Sequence, residues 1–208
     1  PLLVGQLHVE DHVQLVDREL PVHAVHAVGH LLELGLLGVV LVGDLAHQLF
    51  EQVLESDQAD DAAVLVDLDL QFGDVGLALG LEPNKTIYDL AVSGGTLDGD
   101  KIEGFLSQHP SGARALLAPL RPDQAAAIGT PFLREVFEIL RSRFDFVLVD
   151  TPPAFTPEVI AAVDVSTHLC VVGMLDALSL KDTKIGLETL EQMGYDTNAV
   201  TFVPNRAG

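Results

Sequence analysis

The segment VLVDLDLQFGD (residues 64–74) decides the fold expected for this chain. It starts inside an apolar run, residues 62–68, that acidic residues flank. Such a run is typical of a strand that is buried on both faces, as in a parallel sheet. The segment FDFVLVDTPP (residues 144–153) has the same form. Both segments therefore predict inner strands that end in aspartate.

Short strand-like runs alternate with amphipathic helical segments along the rest of this region. A helix is predicted with Thr130 as its N-cap, and a second one with Ser179 as its N-cap that stops at Gly194. The predicted strands are residues 62–68, 113–118, 144–149, 169–174 and 200–203. Alternation of this kind predicts an α/β fold with three layers, a mostly parallel sheet with helices on both faces. Its ligand crevice is expected at the carboxyl ends of the strands.

Length, charge and composition narrow the class of protein. The 208 residues suit one globular domain, and 48% of them are apolar. Eleven basic against 31 acidic residues give a net charge of −20, which disfavours nucleic acid as a partner. No apolar run reaches the ~18 residues of a membrane-spanning helix, and no secretory signal is visible. The single cysteine, Cys170, excludes an internal disulfide and is expected to pack in the core. A cytoplasmic protein is predicted.

Acidic side chains are predicted to gather at one rim of the sheet. Asp67 and Asp69 follow one strand, and Asp150 follows another. Parallel strands bring their carboxyl ends together, so the three carboxylates are expected to converge. Hard oxygen ligands suit Mg²⁺, although an aspartate at a strand end can also simply cap the next turn. Three such residues at two strand ends favour the metal-related interpretation.

Four segments, in this order and spacing, resemble the MinD/ParA class of deviant P-loop ATPases, in particular the CpaE-type proteins of Flp/Tad pilus assembly. They are VLVDLDLQFGDV, FDFVLVDTPPAF, LSLKDTKIGLETLEQMGY and VTFVPNRAG, and the resemblance covers residues 64–208. It implies a P-loop NTPase-like fold, ATP and Mg²⁺ as cofactors, and a homodimer that switches with ATP. The implied role of this switch is in pilus assembly, secretion or subcellular positioning. The resemblance also implies pilus or secretion assembly proteins as partners, and through them access to the inner face of the membrane.

The resemblance also implies roles for individual residues. Asp69 matches the switch I aspartate that positions the attacking water, and Asp67 matches the acid that supports the metal site. Asp150 matches the Walker B aspartate that holds Mg²⁺ through water. The other matches are Thr151, Pro152 and Pro153 in switch II, Asn205, which reads the adenine edge and is expected at the same rim, and the adjacent Arg206.

One element of the family pattern is missing. The family carries a loop of the form KGGxGKT after its first strand, whose amides and lysines hold the phosphates. Here the first lysine is Lys85. Residues 36–53 do predict a strand, a turn at Gly43 and a helix, but the turn presents Asp44 where a cation is needed. Gly43 is therefore predicted to be a turn glycine and not a phosphate cradle.

The missing loop divides the chain into an atypical segment, residues 1–63, and an ATPase-like core, residues 64–208, within one globular domain. The first segment has one basic residue, Arg18, and eleven acidic ones. It is either a degenerate replacement of the loop or not natural coding sequence. Two functions stay open, an ATP-dependent dimerisation switch and a non-hydrolysing interaction module of the same fold, so enzymatic activity is undecided. For the chain as written, the expectation is ATP binding weaker than ~1 mM and no hydrolysis above background.

Overall fold

The computed structural model describes residues 39–42, 63–174, 176–197 and 200–205, with only the backbone described for residues 39–42 and 203–205. The strands are β1 (Val39–Val42), β2 (Ala63–Asp67), β3 (Ser107–Gln108), β4 (Arg114–Leu116), β5 (Phe146–Thr151), β6 (His168–Met174) and β7 (Val200–Asn205). The helices are α1 (Val75–Ala78), α2 (Ile87–Val92), α3 (Gly99–Glu103), a 3-10 helix (Pro122–Ala127), α4 (Thr130–Arg143), α5 (Pro157–Val165) and α6 (Ala177–Gln192).

The described strands form one sheet in the order β3-β4-β2-β5-β1-β6-β7. All neighbouring strands are parallel except β3 and β4, which are antiparallel. The predicted α/β fold with a mostly parallel sheet is therefore confirmed. β1 comes from the atypical first segment and pairs with β5 on one side and β6 on the other.

Both faces of the sheet are apolar, as the continuous runs in the sequence require. On one face, Val64 and Val149 pack in a single core cluster with residues of α2, α4 and α5. In α4, the side chains of Leu133, Val136, Phe137 and Leu140 are buried, as predicted, and Phe132 is partly buried. Leu65, Leu148 and Cys170 are buried too, and by their register they share the opposite face. Burial raises the pKa of the Cys170 thiol to about 12, which fits its predicted packing role.

Two predicted helix starts need correction. The N-cap of α4 is Gly129 and not Thr130, so Pro131 occupies the second helical position, where the N–H group has no partner within the helix either. The N-cap of α6 is Asp176 and not Ser179. The Asp176 carboxylate accepts hydrogen bonds from the backbone N–H groups of residues 178 and 179, at 2.9 and 3.0 Å. The Ser179 hydroxyl instead accepts the N–H of Met174 at 2.8 Å.

The predicted end of α6 is confirmed. Gly194 follows the helix with a φ of 91°, a conformation that costs glycine little because it has no Cβ atom. The N–H of Tyr195 donates to the carbonyl of Leu190 at 3.0 Å, and that of Gly194 donates to Glu191 at 2.9 Å. These two bonds form a Schellman motif. In the described part of the chain, no helix is both long and apolar enough to cross a membrane.

Candidate functional site

The carboxyl ends of β2, β5 and β1 lie side by side. In the register of the sheet, Asp67 pairs with Asp150, and Val42, the last residue of β1, pairs with Thr151. The connection that leaves β1 leads to β2 on one side, and the connection that leaves β6 leads to β7 on the other. The strand order thus reverses between β1 and β6, which is where open α/β sheets bind ligands. The predicted turn at Gly43 and the helix after it lie outside the described residues.

Asp67 is buried at this rim and accepts two backbone hydrogen bonds. Its Oδ1 atom accepts the N–H of Asp69, and its Oδ2 atom accepts the N–H of Val75, each at 3.2 Å. Only 1% of the residue is exposed. Desolvation raises the pKa of the Asp67 carboxyl from 3.8 to about 7, and the negative charges of Asp69 and Asp74 add to the rise, while the two hydrogen bonds oppose it. The loop of residues 67–75, called here the Asp67 loop, is thus closed by one side chain.

Asp69 lies within the Asp67 loop, and its carboxylate accepts two backbone N–H groups of that loop. Its Oδ1 atom accepts the N–H groups of Gln71 at 3.2 Å and of Phe72 at 3.1 Å. Leu68 and Leu70 beside it are buried, and the N–H of Leu68 donates to the carbonyl of Asp150 at 2.8 Å. The half-buried Asp69 is therefore held next to the end of β5.

Gly73 packs against the Asp67 carboxylate. A Cβ atom at this position would lie 2.4 Å from Oδ2 and 2.6 Å from Oδ1 of Asp67, and 2.4 Å from the Cβ atom of Ala118. These distances are too short for any side chain, so the loop needs glycine here. The sequence alone does not reveal this contact, because it joins residues whose proximity depends on the tertiary fold.

The residues predicted for switch II, Thr151, Pro152 and Pro153, come directly after Asp150 in the chain. Asp150 is half-buried, and Thr151 is buried with 3% of its surface exposed. Pro152 is half-buried and Pro153 is exposed, and the N–H of Ala154 donates to the carbonyl of Pro152 at 2.7 Å. This tight turn leads from the rim into α5.

Of the two residues predicted to hold the adenine base, the structure describes only the backbone of Asn205. Asn205 is the last residue of β7 and pairs in register with Met174, so its backbone lies at the same end of the sheet as Asp150. Two strands, β1 and β6, separate β7 from β5. The side chain of Asn205 and all of Arg206 lie outside the described residues.

Asp150 is a carboxylate at the rim that suits magnesium. Within the described residues, no three His, Cys, Asp or Glu side chains form a group that could hold a metal ion. In phosphate sites, however, Mg²⁺ needs only one or two carboxylates, because water and phosphate oxygens complete its shell. Asp150 at the end of β5 fits that requirement. Asp67 suits it less well, since both of its oxygens accept backbone N–H groups and the residue is buried.

An apolar cavity of about 610 Å³ lies beside this site and was not foreseen from the sequence. It extends from the segment after Pro153 to the space between α5, α6 and β6, and its lining includes Phe155, Leu169 and Leu187. Among its described residues, α6 has a single buried side chain, Leu190, although it carries several other apolar residues.

Comparison with known proteins gives one relative in sequence. No protein-family model matches the chain. The chain is 31% identical over 140 residues to the chromosome-partitioning ATPase Soj of Thermus thermophilus. The match covers 65% of the chain and 51% of Soj, so the chain spans about half the length of this curated relative.

Solved structures share the fold over most of the chain. A ParA family ATPase from Chlorobium tepidum superposes with a TM-score of 0.71 and 20% identity, covering 81% of this chain and 74% of that one. The septum site-determining protein MinD from Pyrococcus horikoshii, solved with Mg-ADP, gives 0.64 and 21%, covering 82% and 70%. Neither the sequence match nor these structures show the CpaE type in particular. The chain is thus similar in sequence to Soj over 140 residues, and it shares the fold of ParA and MinD ATPases.

Proposed function

We propose that this protein has the core of an ATP-dependent dimerisation switch of the MinD/ParA type. In this proposal Mg-ATP binds at the carboxyl rim between β1 and β6, and hydrolysis reverses the dimerisation. The single observation that supports it most is the register that places Asp67 and Asp150 side by side next to the end of β1.

The proposed roles divide the work between two carboxylates. Asp150 would hold Mg²⁺ through water, and the ion would supply positive charge against the phosphates. Asp69 would orient the attacking water, because it lies in a loop that is fixed against the end of β5. Thr151 and Pro152 would carry the change at the phosphate into α5, and Asn205 with Arg206 would hold the base.

A second candidate is a non-hydrolysing interaction module of the same fold. It is favoured by the absence of lysine before Lys85 and by Asp44 directly after Gly43. An acid beside a triphosphate repels it, so the phosphates would lack compensation from the protein. For the chain as written, we therefore expect ATP binding weaker than ~1 mM.

Calorimetry with Mg-ATP separates the two candidates. We would titrate the unaltered chain and a chain whose residues 1–63 are replaced by a segment with the KGGxGKT loop. The switch proposal expects the replacement to restore binding and turnover, and Asp69→Ala then to abolish turnover while binding persists. Glu138→Gln removes a carboxylate on the exposed face of α4, and as a control it should leave both binding and turnover unchanged. If the chain with the KGGxGKT segment neither binds nor hydrolyses ATP, the switch proposal is wrong, and the non-hydrolysing interaction module is the candidate that is left.

The proposed partners are a second copy of this chain and proteins of pilus or secretion assembly. The first is supported by the MinD/ParA-type fold. The second is supported only by the resemblance of the sequence segments to CpaE-type proteins. Size exclusion of the chain that carries the KGGxGKT segment, with and without Mg-ATP, tests the first, since the switch proposal requires the nucleotide to shift that chain from monomer to dimer.

A further inference from the structure

The carboxylate of Asp67 is committed to the backbone of its own loop. One oxygen accepts the N–H of Asp69 at the start of the loop, and the other accepts the N–H of Val75 at its end. Because each oxygen accepts one of these N–H groups at 3.2 Å, within hydrogen-bond range, the carboxylate joins the two ends of the loop. Asp67 thus ties together the two ends of a segment that has only a short helix, α1, after it.

The space around this carboxylate is filled. Gly73 lies so close that a Cβ atom there would approach both carboxylate oxygens to 2.4 and 2.6 Å. The side chain is also almost completely buried. A hydrated magnesium ion keeps several of its waters and needs open space around the carboxylate that supports it. The surroundings of Asp67 therefore suit an anchor for the loop better than a support for a metal ion.

The anchor reaches Asp69 directly. The N–H that Oδ1 of Asp67 accepts is that of Asp69 itself, and the Asp69 carboxylate in turn accepts the N–H groups of Gln71 and Phe72. The position of the Asp69 backbone therefore depends on Asp67 as well as on the bond from the N–H of Leu68 to the carbonyl of Asp150. Loss of the anchor would loosen the loop at Asp69 and at Val75.

We propose that Asp67 is a positioning residue that holds the Asp67 loop, and with it the Asp69 carboxylate, and that it does not support the magnesium ion. This inference rests on the proposed function, and it changes the role that the family resemblance implies for Asp67. Asp69 keeps its proposed role, and Asp150 remains the metal-binding carboxylate.

Amide hydrogen exchange of the full chain without nucleotide tests the anchor. In Asp67→Asn the amide side chain keeps one acceptor oxygen and loses the other, so one of the two anchored N–H groups, of Asp69 or Val75, should exchange about tenfold faster. Asp67→Ala should release both. Gly73→Ala should do the same with Asp67 intact, because the added Cβ atom displaces the loop. Amides of α4 should keep their protection in each variant, which a general loss of stability would not allow.

Metal binding and turnover test the rest of the proposal. With Mn²⁺ alone as the probe, Asp150→Asn should weaken binding more than Asp67→Asn, which should leave it within twofold. In a chain that turns over ATP, Asp67→Asn should lower kcat and leave KM for Mg-ATP unchanged. Unchanged exchange in Asp67→Asn would overturn the proposal, and so would a loss of Mn²⁺ affinity equal to that of Asp150→Asn. If no form binds Mn²⁺ or ATP, the proposed function fails, and the exchange result still decides whether Asp67 anchors the loop.

Discussion

Replacing Asp67 by asparagine should change how the stability of this protein depends on pH. The folded chain raises the pKa of this carboxyl from 3.8 to about 7, chiefly because burial removes it from water. Between pH 4 and about pH 7 the unfolded chain has released this proton while the folded chain still holds it. The folded state is therefore favoured fully at low pH, and its advantage is lost as the pH rises through about 7.

The size of the effect follows from the two pKa values. Each unit of pKa difference is worth about 1.4 kcal/mol, so the full change is about 4 kcal/mol. Between pH 5 and pH 8, about 3 kcal/mol of it should appear in the free energy of unfolding of the wild type. The asparagine side chain of the variant cannot release a proton in this range. The stability difference between variant and wild type should therefore shift by about 3 kcal/mol in favour of asparagine over this interval.

Urea unfolding followed by circular dichroism at pH 5, 6, 7 and 8 measures this shift. The other acidic residues of the chain also make its stability depend on pH, and comparison with the wild type at each pH removes their contribution. Glu138→Gln makes the same chemical change on the exposed face of α4 and is the control for the loss of one carboxylate. Stability curves of Asp67→Asn and wild type that run parallel from pH 5 to pH 8 would refute the reasoning.

Three further changes test the packing and the helix ends. Phe137→Ala should lower the free energy of unfolding by about 3–5 kcal/mol, because the Phe137 side chain is fully buried in the core cluster. A urea midpoint close to that of the wild type would contradict this. Asp176→Ala should lower the free energy of unfolding in urea by about 1 kcal/mol, because α6 loses its N-cap. Asp176→Asn should retain most of that stability, because asparagine also caps helices. Gly194→Ala should lower the thermal midpoint and cost about 1 kcal/mol, since alanine is strained at a φ of 91°, and an unchanged midpoint would argue against the Schellman motif at this end of α6.

The sequence predicted the inner strands because burial on both faces leaves a continuous apolar run. β2 and β5 are recognisable for this reason, although β5 starts at Phe146 and extends to Thr151 instead of covering residues 144–149. Apolar content does not show where hydrogen bonding to the neighbouring strand begins. β3 was not predicted, because a strand of two residues carries no pattern of its own.

The candidate site was predictable in its position but not in its internal contacts. The rule that parallel strands end at one rim was enough to expect Asp67 next to Asp150. It could not show that Asp67 closes a loop on Val75, or that Gly73 fills the space beside it. Those contacts depend on the path of the chain between β2 and α1, and no periodic pattern encodes such a path.

The central position of β1 has a consequence for how this chain can assemble. β1 is early in the sequence, yet its two neighbours, β5 and β6, follow it by on the order of 100 residues. During synthesis this strand has no neighbour to pair with until β5 and β6 have left the ribosome. The middle of the sheet is therefore among the last parts to form. In a chain without β1, β5 and β6 would each present an open edge to other molecules. The protein would then be prone to aggregate for lack of its central strand, even with every residue of the candidate site intact.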